Sequence, residues 1–337
     1  MNAGRIACFL LLGLGGCMSC AEPAHPPDDS AASAAEEPEP EDTSVIDPKR
    51  CADDRTWVQV SAGDIQTCGL HGDGCIECWG GDEEDGELNV ADSGRVDWVD
   101  YGDDDPPNGT YTHIAVSQYV SGSGHACALD PEGRVSCWGG DDVGQASPPQ
   151  GTFVALSVNY GQSCGIRTDT SLACWGTWGE VDHLPTEPGF TMIATGPVGN
   201  GCAVNARGYV SCWQYEERHP DQVGNFNAVG LDYYVCGSSL DAPLYCWNAS
   251  DGERFESDAV PTGAGFAYVC QSSYSGRYGC VLAEDGHVEC WGGESHVPPE
   301  TLFSQISCGS QHTCGVTLDG GIECWGSCDD GECDVPR

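Results

Sequence analysis

The sequence predicts an all-β, seven-bladed β-propeller behind a disordered N-terminal stalk. Three observations predict it. A phrase of cysteine, nine residues, cysteine and tryptophan returns seven times in the 337-residue chain. A short apolar stretch led by an aromatic precedes each phrase, and no segment sustains a helical period. The phrase falls at Cys68 and Cys78 with Trp79, Cys127 and Cys137 with Trp138, Cys164 and Cys174 with Trp175, and Cys202 and Cys212 with Trp213. It returns at Cys236 and Cys246 with Trp247, Cys280 and Cys290 with Trp291, and Cys314 and Cys324 with Trp325. A spacing held constant while the residues inside it drift marks an internal repeat.

The phrase has a direct physical meaning. In the first copy, Cys68 and Cys78 stand symmetrically about Asp73, and Gly72-Asp73-Gly74 supplies the positive-φ residues of a tight hairpin turn. Opposed Cα atoms of an antiparallel pair lie about 4.5–5.5 Å apart, inside the range a disulfide spans. All seven cysteine pairs are therefore expected as disulfides. The tryptophan follows its cysteine immediately and so points to the opposite sheet face. Each unit thus carries a sulfur clasp on one face and an indole on the other. Both faces need cover, and stacking such units side by side into a closed ring provides it. A buried indole is worth roughly 4–6 kcal/mol as an upper bound. Each clasp adds about 2–3 kcal/mol.

In chain order, residues 1–16 read as an export signal: Arg5, an apolar run from Ile6 to Leu14 too short to span a bilayer, then small residues. Leu14-Gly15-Gly16-Cys17 resembles a bacterial lipobox, which predicts a lipid on Cys17; a plain secretory peptide with Cys17 incidental is the alternative. Residues 17–50 are proline, alanine and acid with almost nothing to bury, a disordered linker. Residues 51–337 leave about 41 positions per repeat, the length of a four-stranded blade. The leading aromatics are Trp57, Tyr111, Phe153, Phe190, Phe226, Phe266 and Phe303. After each Cys-Trp the chain enters a variable, proline-terminated loop, and the last of these stops where another first strand would begin. The chain ends of the repeat region are thus expected to meet.

The stretches Val60-Ser61-Ala62-Gly63, Thr67-Cys68-Gly69-Leu70, Cys78-Trp79-Gly80 and Cys137-Trp138-Gly139-Gly140-Asp141-Asp142-Val143-Gly144-Gln145 resemble repeats of the RCC1 type. The cysteine-rich form is similar to exported bacterial members of that family. The resemblance implies a seven-bladed propeller and says little about activity. In that family a Gly-Gln-Leu loop follows the tryptophan; here only Gly86-Glu87-Leu88, Gly144-Gln145-Ala146 and Gly331-Glu332-Cys333 approximate it.

Cysteines outside the pattern remain. Cys328–Cys333 is expected as a local loop bridge, with Cys51–Cys333 across the seam as its rival. Cys270 and Cys308, at matching positions in consecutive blades, are expected to join two inner strands. The partner of Cys75 is left open.

With 53 acidic residues against 12 Lys plus Arg, the net charge is −41, which repels phosphate backbones and excludes nucleic acid as a natural partner. Twenty-three cysteines in regular array point to an oxidising compartment, here the bacterial outer membrane or cell surface, with membrane contact only through the lipid. The longest blade loop carries Asp82, Glu83, Glu84 and Asp85, then Trp98 and Tyr101, then Asp103, Asp104 and Asp105. Acid and aromatic together there form the expected binding surface. A merely solvated acidic loop is the plainer alternative. Oxygen clusters of this kind suit calcium, but no ordered ligand spacing appears, so calcium binding by these loops is left open; no cofactor and no other metal is expected.

His125 and His312, each two residues before a repeat cysteine, read as structural. Gly161-Gln162-Ser163-Cys164-Gly165 matches a nucleophile motif in letters, but it enters a hairpin rather than a strand-to-helix elbow. The functional expectation is a monomeric, non-catalytic scaffold presenting its loops to a protein or glycan. A secreted enzyme inhibitor is an alternative, as is a hydrolase or lyase with its site at one mouth of the ring.

Overall fold

The computed structural model describes residues 51, 56–80, 106–118, 124–176, 183–214, 222–231, 234–248, 252–254, 260–272, 278–292, 297–298, 300–329 and 331–336. All belong to the compact unit Asp47–Arg337. The expected signal, Cys17 and the linker to residue 50 lie outside the described residues, as do Asp82, Glu83, Glu84, Asp85, Trp98, Tyr101, Asp103, Asp104 and Asp105.

The described residues form seven three-stranded antiparallel sheets, each ordered inner, middle, outer as the chain runs. The inner strands are Trp57–Ala62, His113–Val116, Phe153–Asn159, Phe190–Thr195, Ala228–Leu231, Phe266–Gln271 and Phe303–Cys308. Each leads into a middle strand carrying the first cysteine of the phrase and an outer strand carrying Cys-Trp, as in Gln66–His71 and Ile76–Gly80. Seven sheets so repeated, one per phrase, make a β-propeller. The spacing suggested four strands per blade. Among the described residues a fourth survives only as single bridges, Val210↔Gln222 and Trp247↔Arg254, in the fourth and fifth blades. Segments rich in proline, glycine and acid cannot sustain a longer ladder.

Within each hairpin the two cysteines of the phrase are direct cross-strand partners. A disulfide joins Cys68 to Cys78, Cys127 to Cys137, Cys164 to Cys174 and Cys202 to Cys212. Others join Cys236 to Cys246, Cys280 to Cys290 and Cys314 to Cys324. The Cα atoms of these pairs lie 4.0–4.1 Å apart, closer than the spacing expected of opposed strand residues. All seven phrase tryptophans are buried, none more than 8% exposed.

The two faces meet between blades. Cys68, Leu70 and Ile76 of the first blade pack against Tyr111, Ile114 and Trp138 of the second. The same pairing, clasp face on indole face, joins each later blade to the next. It also joins the last to the first, where Cys314 and Val316 meet Trp57, Val60 and Trp79. Two backbone bonds tie this closure, Trp57 N–H to Gly320 C=O and Ser310 N–H to Gly63 C=O, both 2.9 Å. The ring is complete, with no exposed end blade.

The residue after the first cysteine is glycine in the first, third, fifth and seventh blades because the leading aromatic lies across it. A Cβ at Gly69 would stand 2.2 Å from the Trp57 ring, and one at Gly315 2.4 Å from Phe303. Phe303 in turn packs on Trp325 at 5.3 Å.

Of the remaining cysteines, Cys333 bonds Cys328 within its own loop, as expected. The rival Cys51–Cys333 bridge does not form, and Cys51 bonds Cys75, whose partner the sequence leaves open. Cys270–Cys308 joins the inner strands of consecutive blades. The two are not at matching positions, however: Cys270 faces Cys280, whereas Cys308 faces Thr313, one step further along.

Replacing Trp325 by alanine, which empties the seam between the last two blades, is expected to lower unfolding free energy by about 3–5 kcal/mol. Gly315→Val, which drives a side chain into Phe303, should cost about 1–3 kcal/mol. Denaturant unfolding of the oxidised chain, with the clasps verified intact, measures both.

Candidate functional site

The inner strands of all seven blades line a central cavity of about 150 Å³. An inner strand has an edge whose N–H and C=O groups need partners. Side chains of the neighbouring blade supply them. The Gln305 amide accepts from Val60 N–H at 2.9 Å and donates to Val60 C=O at 3.0 Å, bridging last blade to first. Gln59 does the same for Ile114, at 3.0 and 2.9 Å. Each amide stands in for the peptide of a missing strand. Two residues on, Ser307, Ser61 and Ser157 hydroxyls accept from Ala62, Val116 and Thr195 N–H, each at 2.9 Å. His113 Nε2 donates to Leu156 C=O at 3.2 Å, and burial pushes its pKa down against the pull of that bond. The described lining residues include no carboxylate, lysine or arginine.

One end of the channel is crossed. The Gln118 amide reaches from the second blade to the carbonyl of Gln271 at 3.2 Å and to that of Cys308, and Ser310 Oγ donates back to Gln118 C=O. These bonds span blades that are not neighbours in the ring.

A second set of bonds holds the seams. Thr67 Oγ1 donates to Glu332 C=O at 2.9 Å, so the Thr67 oxygen accepts from His312 Nε2 at 2.8 Å. Trp79 Nε1 donates to the same carbonyl at 3.0 Å. The second and third blades repeat the arrangement: His125 Nε2 to Ser163 Oγ at 2.7 Å, Ser163 Oγ to Gln145 C=O at 2.8 Å, and Trp175 Nε1 to that carbonyl at 2.9 Å. The Gly144-Gln145 and Gly331-Glu332 loops thus anchor the next blade's indole. Gln66 and Gln162 occupy the histidine position, but the facing residues are Ala126 and Gly201, which have no hydroxyl. Accordingly Gln66 Nε2 and both ends of the Gln162 amide have no hydrogen-bond partner among the described residues.

The opposite end of the ring holds the middle-to-outer turns and the starts of the inner strands. The large hydrophobics exposed among the described residues, Val58, Val154, Val223, Leu240 and Leu318, all stand at or beside this end. Val58 and Val154 are the bulged residues where the inner-strand register shifts. Around them the turns present acids. Asp169, Asp241, Asp285 and Asp319 are held below the usual carboxylate range by side-chain bonds to Ser171, Ser239, His287 and Thr317 respectively.

Sequence reading missed this end and the glutamine stitches. A signal for the stitches was present, since glutamine stands two residues after the leading aromatic in both Trp57-Val58-Gln59 and Phe303-Ser304-Gln305. Among the described residues one group of potential metal ligands, Cys51, His71 and Glu77, comes together. In the oxidised chain Cys51 is bonded to Cys75 and offers no thiolate.

Comparison with known proteins agrees with this architecture. Residues 116–145 and 303–332 match the regulator of chromosome condensation (RCC1) repeat. These matches end on Gln145 and Glu332, the residues whose carbonyls hold the next blade. The serine/threonine-protein kinase-like protein CCR2 of Arabidopsis thaliana is 27% identical over 182 residues, covering 40% of this chain and 23% of that protein. The chain therefore spans less than a quarter of that curated relative. Among solved structures, the entire ectodomain of the Physcomitrella patens receptor kinase CR4 is similar with a TM-score of 0.59 at 23% identity, over 81% of this chain and 74% of that one. Prp20p of Saccharomyces cerevisiae, studied for its binding to Gsp1p and histones, is similar with a TM-score of 0.53 at 14% identity, over 80% and 82%. The fold is that of an RCC1-like propeller.

Burial pushes the His312 pKa down to about 4 from 6.5. Between those pH values the unfolded chain binds a proton that the folded chain refuses. Unfolding free energy is therefore expected to fall as pH drops through this window, by about 3 kcal/mol from this group, and to gain no further slope from it below about pH 4. In His312→Asn that component of the slope should vanish, which urea unfolding at stepped pH measures.

Proposed function

We propose that the protein is a non-catalytic binding scaffold that works outside the cytoplasm and recognises a protein or glycan through one end of its propeller. Ten disulfides among the described residues suit an oxidising compartment. The observation that carries the reading is that exposed Val58, Val154, Leu240 and Leu318, each on a different blade, all stand at the turn end, where the Asp169 and Asp319 carboxylates are held below their usual range. The channel favours the same view, because the polar side chains named along its wall are committed to bonds between blades. An ectodomain is also the nature of the similar receptor-kinase structure given above. Lipid anchoring through Cys17 belongs to this proposal and would keep the scaffold at the bacterial surface. The acidic and aromatic loop from Asp82 to Asp105, expected from the sequence as a binding surface, belongs to this proposal too.

The test is direct binding of the full oxidised chain to panels of surface proteins and glycans. A Val58→Asp/Val154→Asp/Leu240→Asp/Leu318→Asp variant serves as control. A ligand bound by the native chain should lose about tenfold or more in affinity to the variant, while thermal unfolding stays within a few degrees. Equal binding by both chains, or turnover by the native chain in a hydrolase and lyase panel, would sink the reading.

A further inference from the structure

The seven hairpins act as controls for one another. Two residues of the first have no counterpart: none of the others has histidine at the third position after its first cysteine, and none has cysteine at the seventh. His71 and Cys75 are therefore not demanded by the blade. Cys51, which precedes the first inner strand, completes the departure by bonding Cys75.

These residues converge on a buried corner. Cys51 is 4% exposed and His71 5% exposed, whereas Cys75 is half-buried. The Cys51 sulfur, a ring nitrogen of His71 and a carboxylate oxygen of Glu77 lie within 4.8 Å of one another. The His71 ring is fixed by stacking on Trp57, with centroids 3.7 Å apart. Its Nε2 stands 3.4 Å from Glu77 Oε2. Its Nδ1 is buried without a hydrogen-bond partner among the described residues. The stacking thus holds the imidazole in place beside a sulfur pair and a carboxylate.

We propose that reduction of Cys51–Cys75 by a dithiol converts this corner into a site for a thiophilic divalent cation of the zinc class. A thiolate of the dithiol attacks the more accessible Cys75 sulfur, and the S–S bond breaks with Cys51 leaving as thiolate. The second thiol of the reagent then displaces Cys75, so two electrons pass to the protein and the reagent leaves as its own disulfide. Binding M²⁺ displaces the two thiol protons. The ligands are two thiolates, neutral imidazole and carboxylate, a four-coordinate set with net charge of about −1 including the metal. Metal–ligand distances of about 2.0–2.3 Å place ligand atoms roughly 3.3–3.8 Å apart. The Cys51 sulfur therefore closes on the His71–Glu77 pair, already 3.4 Å apart, and the Cys75 sulfur, which stands outside that group of three, swings in beside it as the sulfurs separate.

The test uses the full chain and limiting dithiol. Opened cysteines are mapped by alkylation, and uptake of Co²⁺ and Zn²⁺ is measured. Exposed Cys328 makes Cys328–Cys333 open as well. The expected result is therefore uptake of one metal per chain that follows opening of Cys51 and Cys75 and not of Cys328–Cys333 or the clasps, with the tetrahedral cobalt–thiolate spectrum. His71→Asn and Glu77→Gln should each weaken Zn²⁺ binding about tenfold or more. Cys51→Ser/Cys75→Ser should abolish it; should that chain misfold, alkylating the two freed thiols in the native chain before adding metal replaces it. No uptake by the reduced chain, uptake that follows the number of opened clasps, or binding indifferent to the His71 and Glu77 changes would overturn the proposal.

Discussion

The structure depends on a single contact made again at every seam: the disulfide face of one blade lying against the indole face of the next. Neither face is stable alone. A three-stranded sheet with sulfur and leucine on one side and tryptophan on the other would expose apolar surface both ways, and a lone blade has no second layer to bury it. Seven equal wedges satisfy both faces only as a ring, because any open stack leaves one of each kind bare. The seam where Cys314 and Val316 meet Trp57 and Trp79 is thus the same contact as the other six, made between the two ends of the repeat region.

Hydrophobic packing sets which faces meet but not how far a blade can slide along its neighbour. That is done by polar groups of defined direction. The Gln59 and Gln305 amides each make a two-point bond with the N–H and C=O of a single residue of the next inner strand, and a slip of one residue would break both points. The histidine–hydroxyl–carbonyl relays do the same at the outer part of the seam. Among the described residues the histidine relays appear where the next blade offers Thr67 or Ser163. Where it offers Thr313, the same position holds Tyr278, whose hydroxyl pairs with it at 2.7 Å. The residue two before the cysteine answers to its neighbour and not to its own hairpin.

How much of this could be read in advance follows from the range of each interaction. The clasps lie within a hairpin, so a spacing of ten in the sequence becomes a cross-strand pair in space. The blade count and the registers of Cys68 with Cys78, or of Cys164 with Cys174, follow from it. Leading aromatics were visible for the same reason, being near their own glycines. The seam bonds join residues such as Gln305 and Val60 that are 245 positions apart, and no local pattern encodes that distance. Among the described residues each blade has three strands where the repeat length suggested four, because repeat length counts residues without saying which of them pair. The partner of Cys51 was hidden likewise, since ring closure brings several cysteines into one neighbourhood and leaves the choice to side-chain direction.

A repeat protein supplies something most chains lack, a set of internal copies under the same structural demands. Whatever recurs in the blades belongs to the fold: the clasp, the indole, the leading aromatic, the glycine beneath it. Whatever occurs once has to be accounted for otherwise. Gln118 is one such residue, its amide crossing the channel to the sixth and seventh blades, and it leaves the two ends of the ring inequivalent. The exposed valines and leucines make the same distinction from outside, since they lie at the end that Gln118 does not cross. His71 and Cys75 are two more, placed in the blade that also closes the ring. The departures thus fall at the channel, at one end of the propeller and at the seam, while the blade interiors keep to the common pattern. A scaffold whose interior is spent on holding itself together has only such departures left with which to act on anything else.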